Sequence, residues 1–225
     1  MLSKTRIRAG DVIDADDLAS MSVTSAKNGF GSNYASLKFR LVDDGGVANA
    51  GLTTEKTAHT LTFNITDVTD TFTGTVGKNV LKGTAGHDVL NGKGGDDVLY
   101  AGTGNDKFTG GIGQDKLYDE AGADAFIFTS VKDTTVAVAG RDTIYDFTSA
   151  DLINLSAIDA NTKWSGNQAF GFIGTEAFSG KAGELSYDKQ SSDTYVYGDV
   201  NGDMKADFAI HLDDAYSFTN GDFMF

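Results

Sequence analysis

The sequence predicts an all-β protein organised around a parallel β-roll, with period-two strands ahead of the roll and a β-cap behind it. Three observations carry this. A nine-residue unit recurs six times without a slip between Gly74 and Ile127. Before it, apolar residues alternate with polar ones, as in half-buried strands. After it, short apolar runs punctuated by glycine and aspartate continue to Phe225.

The six units read GTVGKNVLK, GTAGHDVLN, GKGGDDVLY, AGTGNDKFT, GGIGQDKLY and DEAGADAFI. Their fourth residue is always glycine: Gly77, Gly86, Gly95, Gly104, Gly113 and Gly122. Such a glycine marks a tight turn that needs positive φ or close backbone approach. The sixth residue, at Asn79, Asp88, Asp97, Asp106, Asp115 and Asp124, aims a hard oxygen into that turn. The last three residues make a very short strand whose middle member, Leu81, Leu90, Leu99, Phe108, Leu117 or Phe126, faces the core. One unit supplies one turn and one strand, so two units complete a coil. Turns of units n and n+2 stack at the spacing of paired strands, about 4.8 Å. Their aspartates form a like-charge ladder, which is repulsive unless cations sit between the rungs. Calcium suits the position because it takes six to eight oxygens, carboxylate or carbonyl. A flexible glycine-rich linker would not hold an apolar residue at ninefold spacing, and a stripe one residue wide is little core for six metal-free units.

The unit resembles the RTX (repeats-in-toxin) nonapeptide GGxGxDxUx, a calcium-binding β-roll repeat. The resemblance implies a ligand set in which one turn offers its second and fourth carbonyls. The stacked turn offers its first and third, and both contribute their sixth side chains. Units two and four then supply Thr84, Gly86 and Asp88 with Ala101, Thr103 and Asp106. Units three and five supply Lys93, Gly95 and Asp97 with Gly110, Ile112 and Asp115. Units four and six supply Gly102, Gly104 and Asp106 with Asp119, Ala121 and Asp124. A weaker site joins units one and three, where Asn79 replaces Asp. Asp97 and Asp106 would each serve two ions, for about three to five Ca2+ in all. Asp133 and Asp142, which follow the sixth unit, are expected over its turn, closing the last site.

Residues 1–70 read as β-structure. Leu37, Phe39 and Leu41 alternate with polar neighbours, as do Leu61, Phe63 and Ile65. Turn clusters at Asp43-Asp44-Gly45-Gly46 and Asn49-Ala50-Gly51 separate the two runs. FRLVDDGG and HTLTFNITDV are similar to the last strands of a cadherin-like or bacterial immunoglobulin-like repeat. That family's sandwich needs about seven strands and roughly 100 residues. The expectation is therefore part of a β-sandwich, at the tail of a longer protein.

Residues 71–129 are assigned to the roll and 130–225 to a cap. DTIYDF, DLINLSAID, GELSY, YVYGDVNGDMKADFAI and the closing DFMF resemble the C-terminal domain of serralysin-type secreted metalloproteases. That resemblance implies a domain that continues the roll, caps it with strands and carries an uncleaved signal for type I secretion machinery. A solenoid has its own need to cover its last coil. Asp199, Asn201, Asp203 and Asp207 approximate an EF-hand-type loop, but Met204 replaces the turn glycine and Ile210 the closing Glu. A hydrogen-bonded turn is the expected account there.

Charge and composition narrow the function. The net charge of −14 is concentrated in residues 130–225, with 6 basic and 15 acidic groups, which argues against nucleic acid and anionic membranes. No cysteine is present, so there is no disulfide or thiolate site. No apolar run approaches the length of a transmembrane helix. Met1-Leu2-Ser3-Lys4 leads into polar sequence without the apolar core of a secretory signal. His59, His87 and His211 form no H-E-x-x-H, and no G-x-S-x-G elbow occurs. The expectation is a non-enzymatic calcium module of a secreted, extracellular, adhesin-like protein. The alternative is the non-catalytic tail of a secreted protease, lipase or polysaccharide-modifying enzyme.

Overall fold

The computed structural model describes the strands Gly31–Phe39 and His59–Ile65 and all of residues 69–225. The chain divides into two compact units, Met1–Thr66 and Asp67–Phe225. In the first, β1 (Gly31–Phe39) and β2 (His59–Ile65) pair antiparallel, with Leu37 across from Leu61 and Ala35 across from Phe63. The alternating runs of the sequence thus meet in one two-stranded sheet. The further strands of a cadherin-like sandwich, the turn clusters at 43–46 and 49–51, and Arg40–Val42 lie outside the described residues.

The second unit is a parallel β-roll closed at one end by β-structure. The strands of units one to six are β4 (Val80–Lys82), β5 (Asp88–Gly94), β6 (Val98–Tyr100), β7 (Lys107–Ile112), β8 (Lys116–Tyr118) and β9 (Ala125–Ile127). They alternate between two sheets, and every roll pairing is parallel. The register is that of units n and n+2: Leu81 pairs with Leu99 and Leu99 with Leu117, while Leu90 pairs with Phe108 and Phe108 with Phe126.

Three strands extend the roll beyond those six units. β3 (Asp70–Thr73) pairs with β5, setting Asp70 beside Asp88 and Phe72 beside Leu90. At the other end β10 (Thr143–Tyr145) joins β8, and β11 (Leu152–Asn154) joins β9. Counting on by nine from Asp124 gives Asp133, Asp142 and Asp151. The unit around Asp133 forms a turn instead of a strand, because its eighth residue is Thr135 and not an apolar one. The next two units, with Ile144 and Ile153 in the eighth place, return to strand.

Inside, Leu90, Phe108, Phe126 and Ile153 from one sheet face Leu99, Leu117 and Ile144 from the other, all at most 1% exposed. Two facing stripes are thus a real core, since each buried large side chain contributes about 1.5–3 kcal/mol. Phe108 and Phe126 stack at 4.9 Å. Outside, the ninth residues of alternate units form a row in which Tyr100, Tyr118 and Tyr145 stack at 4.7 and 4.2 Å. Lys82 lies over the first of these rings.

The cap covers the last coil. β13 (Glu184–Lys189), β14 (Thr194–Asp199) and β15 (Phe208–Leu212) form an antiparallel meander. It continues the sheet of β10 through the parallel β10–β15 pair, and β12 (Gly171–Phe172) adds the far edge. β16 (Phe223–Met224) pairs with β11 and ends the other sheet. Phe147, Phe218 and Phe223 are buried where the cap meets the roll. Among the described residues no helix is long and apolar enough to cross a membrane.

Candidate metal centre

Glycine makes the turns possible. Gly86, Gly95, Gly104 and Gly113 have φ of 111°, 93°, 140° and 153°, where a side chain is strained. The close approach is present as well. A Cβ on Gly102, Gly104, Gly111, Gly113 or Gly122 would overlap the carbonyl oxygen of Thr84, Gly86, Lys93, Gly95 or Gly104 respectively, in the rung before. Second- and fourth-position carbonyls therefore point along the stacking direction.

The sixth-position carboxylates form two ladders. In one, the N–H of Asn79 donates to Asp97 Oδ1 (2.6 Å), that of Asp97 to Asp115 (2.8 Å) and that of Asp115 to Asp142 (2.9 Å). In the other, the N–H of Asp88 donates to Asp106 (2.7 Å), that of Asp106 to Asp124 (2.6 Å) and that of Asp124 to Asp151 (2.8 Å). One oxygen of each of Asp97, Asp106, Asp115, Asp124, Asp142 and Asp151 is thereby committed to the rung before it.

The second oxygen differs along the roll. At both ends it is satisfied locally: Asp88 Oδ2 accepts from Thr84 N (2.7 Å) and Thr84 Oγ1 (3.1 Å), and Asp151 Oδ2 from Thr148 N (2.6 Å) and Thr148 Oγ1 (2.8 Å). Asn79 Oδ1 likewise accepts from Thr75 N (2.6 Å). Between those ends, the Oδ2 atoms of Asp97, Asp115, Asp119, Asp124 and Asp142 are buried without a hydrogen-bond partner. A buried acceptor left unmade costs roughly 1–3 kcal/mol, and more when charged. First-position glycines keep the space beside these oxygens open. A Cβ on Gly92 would meet Asp97 Oδ2, and would lie 2.6 Å from the Gly110 carbonyl oxygen. Carboxylate and carbonyl oxygens of two rungs converge there.

The electrostatics agree. Burial pushes the Asp115 and Asp124 carboxyls up to about 7, against the N–H bonds that lower them, and neighbouring aspartates add to the rise. Burial, then the charge of Asp115, raises Asp142 well above the usual range. Asp119 rises to about 9, through burial and then Asp151 and Asp124. Asp119 stands at the first position of unit six, where four of the other five units have glycine. Its side chain enters that space, and one oxygen each of Asp119, Asp124 and Asp151 lie within 4.8 Å of one another. All three residues are buried.

The donors are oxygens, without a thiolate or imidazole, which selects a hard cation such as calcium. Orphaned buried oxygens beside converging carbonyls fit such an ion. Among the carbonyls named from the sequence, those of Thr84, Thr103, Gly102, Ala121 and Ile112 each accept one backbone N–H of the adjoining turn. Each keeps its second lone pair. Those of Gly86, Lys93, Gly95, Ala101, Gly104 and Gly110 lie in the same turns.

Two placements differ from the sequence reading. Asp142 stands over Asp115 of the fifth unit, and the place over the sixth belongs to Asp151. The alternation of sheets requires this, because the strand after β9 returns to the sheet of β8. Asp133 lies beside the Asp115–Asp142 pair, whose carboxyls its charge raises. Its own Oδ2 accepts from Thr129 N, Thr129 Oγ1 and Ser130 N at 2.7–3.1 Å. Asp151 and Asp70 were missed, as was the side chain of Asp119, which had been read only for its carbonyl. Continuing the ninefold count from Asp124 would have found Asp151, and counting back from Asn79 would have found Asp70.

The Asp199–Asp207 segment is a hydrogen-bonded turn. Asp199 takes the N–H groups of Asn201, Gly202 and Met204, and Asp207 takes those of Val200 and the Asn201 side chain. Met204, in the left-handed region at φ 66°, fills the glycine's place.

Comparison with known proteins agrees with this architecture. The family model described as peptidase M10 serralysin C terminal matches residues 66–225. The AlgE6R2 subunit of the Azotobacter vinelandii mannuronan C5-epimerase is similar in structure, with a TM-score of 0.51 and 26% identity. The match covers 68% of this chain and 91% of that one. The AlgE6R3 subunit of the same enzyme matches at 27% identity and a TM-score of 0.35, over 70% of this chain and 78% of that one. No curated protein matches the chain.

Proposed function

The chain belongs to the peptidase M10 serralysin C-terminal family, and from that premise we propose that it is a calcium-binding RTX module of a type I-secreted extracellular protein. Calcium drives its folding after export. The observation that carries this reading is the set of orphaned carboxylate oxygens at Asp97, Asp115, Asp124 and Asp142. Without an ion they repel one another in a buried place, and with one they become ligands. Extracellular calcium modules bind at about 10⁻⁴–10⁻³ M, far above resting cytosolic levels. The roll therefore stays unfolded inside the cell and folds outside, stabilised by mass action on the folded state. In a calcium titration of the full chain, the far-UV circular dichroism turns cooperatively to β. Magnesium does far less, because it demands stricter octahedral geometry. A full β signal in calcium-depleted buffer at pH 8 would overturn this function.

Export is assigned to residues 130–225, in which Asp222–Phe225 close the chain. Removing residues 170–225 traps the protein in cells that carry a type I exporter, and undiminished export of the truncated chain sinks this part. The module serves a large adhesin-like protein, a reading supported by the β1–β2 sheet of the first unit. The similarity to an epimerase subunit supports a second reading, in which it is the non-catalytic tail of a polysaccharide-modifying enzyme. The sequence encoded ahead of Met1 separates the two: repeated sandwich domains favour the first, a catalytic domain the second.

A further inference from the structure

We propose that Asp193, His211 and Asp213 bind a divalent transition-metal ion on the outer face of the cap, at a site separate from the aspartate ladders. His211 lies on β15, and Asp213 follows two residues later. Asp193 comes from the turn between β13 and β14. One ligand atom of each lies within 4.8 Å of the other two. Nε2 of His211 is 2.8 Å from Asp193 Oδ1.

The ring is held from two further directions. Its Nδ1 is 3.1 Å from Thr143 Oγ1 on β10, the strand against which β15 pairs. Its face stacks on Tyr195 of β14 at 4.7 Å and 17°. Without a metal, Nε2–H donates to Asp193; when a metal takes that place the proton sits on Nδ1, which donates to Thr143 Oγ1, and Nε2 offers its lone pair to the ion. Metal-binding histidines are oriented in this way, by a hydrogen bond from the nitrogen that does not bind.

The donor set chooses the ion. One imidazole nitrogen with two carboxylates suits zinc, or another ion that takes imidazole well, over calcium. The remaining coordination positions fall to water, because Asp213 is exposed. A metal here would tie the β13–β14 turn to β15, and β15 adjoins the terminal rung through the His211 N–H bond to the Asp142 carbonyl (3.1 Å).

The test is zinc titration of the full chain in saturating calcium, which occupies the ladders, followed by calorimetry and by the X-ray absorption of the bound metal. The expected result is one zinc ion bound, with a nitrogen-and-oxygen first shell. His211→Gln and Asp213→Asn each remove that binding, and Thr143→Val weakens it about 10- to 100-fold. Asp213 is exposed and its variant keeps the fold, which calcium-dependent circular dichroism verifies. Unchanged zinc binding in Asp213→Asn and His211→Gln, or no zinc bound by the native chain under these conditions, overturns the proposal.

Discussion

Asp124 and Asp88 occupy the same place in their units, yet they have different surroundings. Asp124 lies between Asp106 and the Asp119–Asp151 pair, and its Oδ2 is buried without a partner. Asp88 has its Oδ2 occupied by Thr84. Asp124→Asn therefore raises the calcium midpoint about tenfold or more by removing a charge from two neighbouring sites, while Asp88→Asn moves it much less. Equal shifts in the two titrations would count against this difference in surroundings. The same carboxylates set a pH dependence. The folded pKa values of Asp115 and Asp124, about 7, and of Asp119, about 9, lie above the unfolded value near 3.9. The metal-free fold thus holds protons that the unfolded chain has released. Its stability is greatest below about pH 4 and is lost as pH rises through 7 to 9. Circular dichroism of calcium-depleted protein is expected to show more β-structure at pH 5 than at pH 9, and calcium affinity to rise over that interval. A metal-free signal that grows with pH contradicts this assignment.

At the scale of the element, the six units were legible because three of nine positions hold their register: the turn glycine, the ligand and the core residue. The units at either end were harder to read: residues 137–145 keep Gly140, Asp142 and Ile144 but are cut off from the six by the irregular unit at Asp133, and the outermost ones keep only two of the three. Residues 146–154 keep Asp151 and Ile153 but have Ser149 in place of the glycine, and the strand at Asp70–Thr73 keeps Asp70 and Phe72. Each still forms a strand, so an apolar eighth residue packed on the core beside a paired neighbour suffices for pairing. The unit at Asp133 shows the converse: with Thr135 in the core position, the chain turns away. The pairing of the cap was not legible, because β15 joins β10 across more than sixty intervening residues and no local pattern specifies that partner. β16 is only two residues long, and its hold is aromatic. Phe223 is 6% exposed and lies 5.0 Å from Phe218 and 5.2 Å from Phe172. Phe223→Ala is expected to cost about 3–5 kcal/mol, read as a lower urea midpoint in saturating calcium. An unchanged midpoint would show that the final strand is not part of the cooperative cap.

Across the second unit, the orphaned carboxylates from Asp97 to Asp142 lie between locally satisfied ones, Asp88 before them and Asp151 after, while apolar cover increases toward the cap. The first coil has locally satisfied side chains and exposed Val76 and Val80, the middle coils have the orphaned carboxylates, and the last lies under an aromatic cap. The row of Tyr100, Tyr118 and Tyr145 on the outer face has an optical consequence. Rings stacked face to face at 4.7 and 4.2 Å couple their electronic transitions, and the right-handed twist of the sheet makes that coupling chiral. Assembly of the coils therefore writes itself into the near-ultraviolet dichroism of tyrosine. Trp164, the sole tryptophan, is 72% exposed and reports almost nothing of the event. The roll thus carries its own chromophore, one whose signal exists only while neighbouring coils are in register.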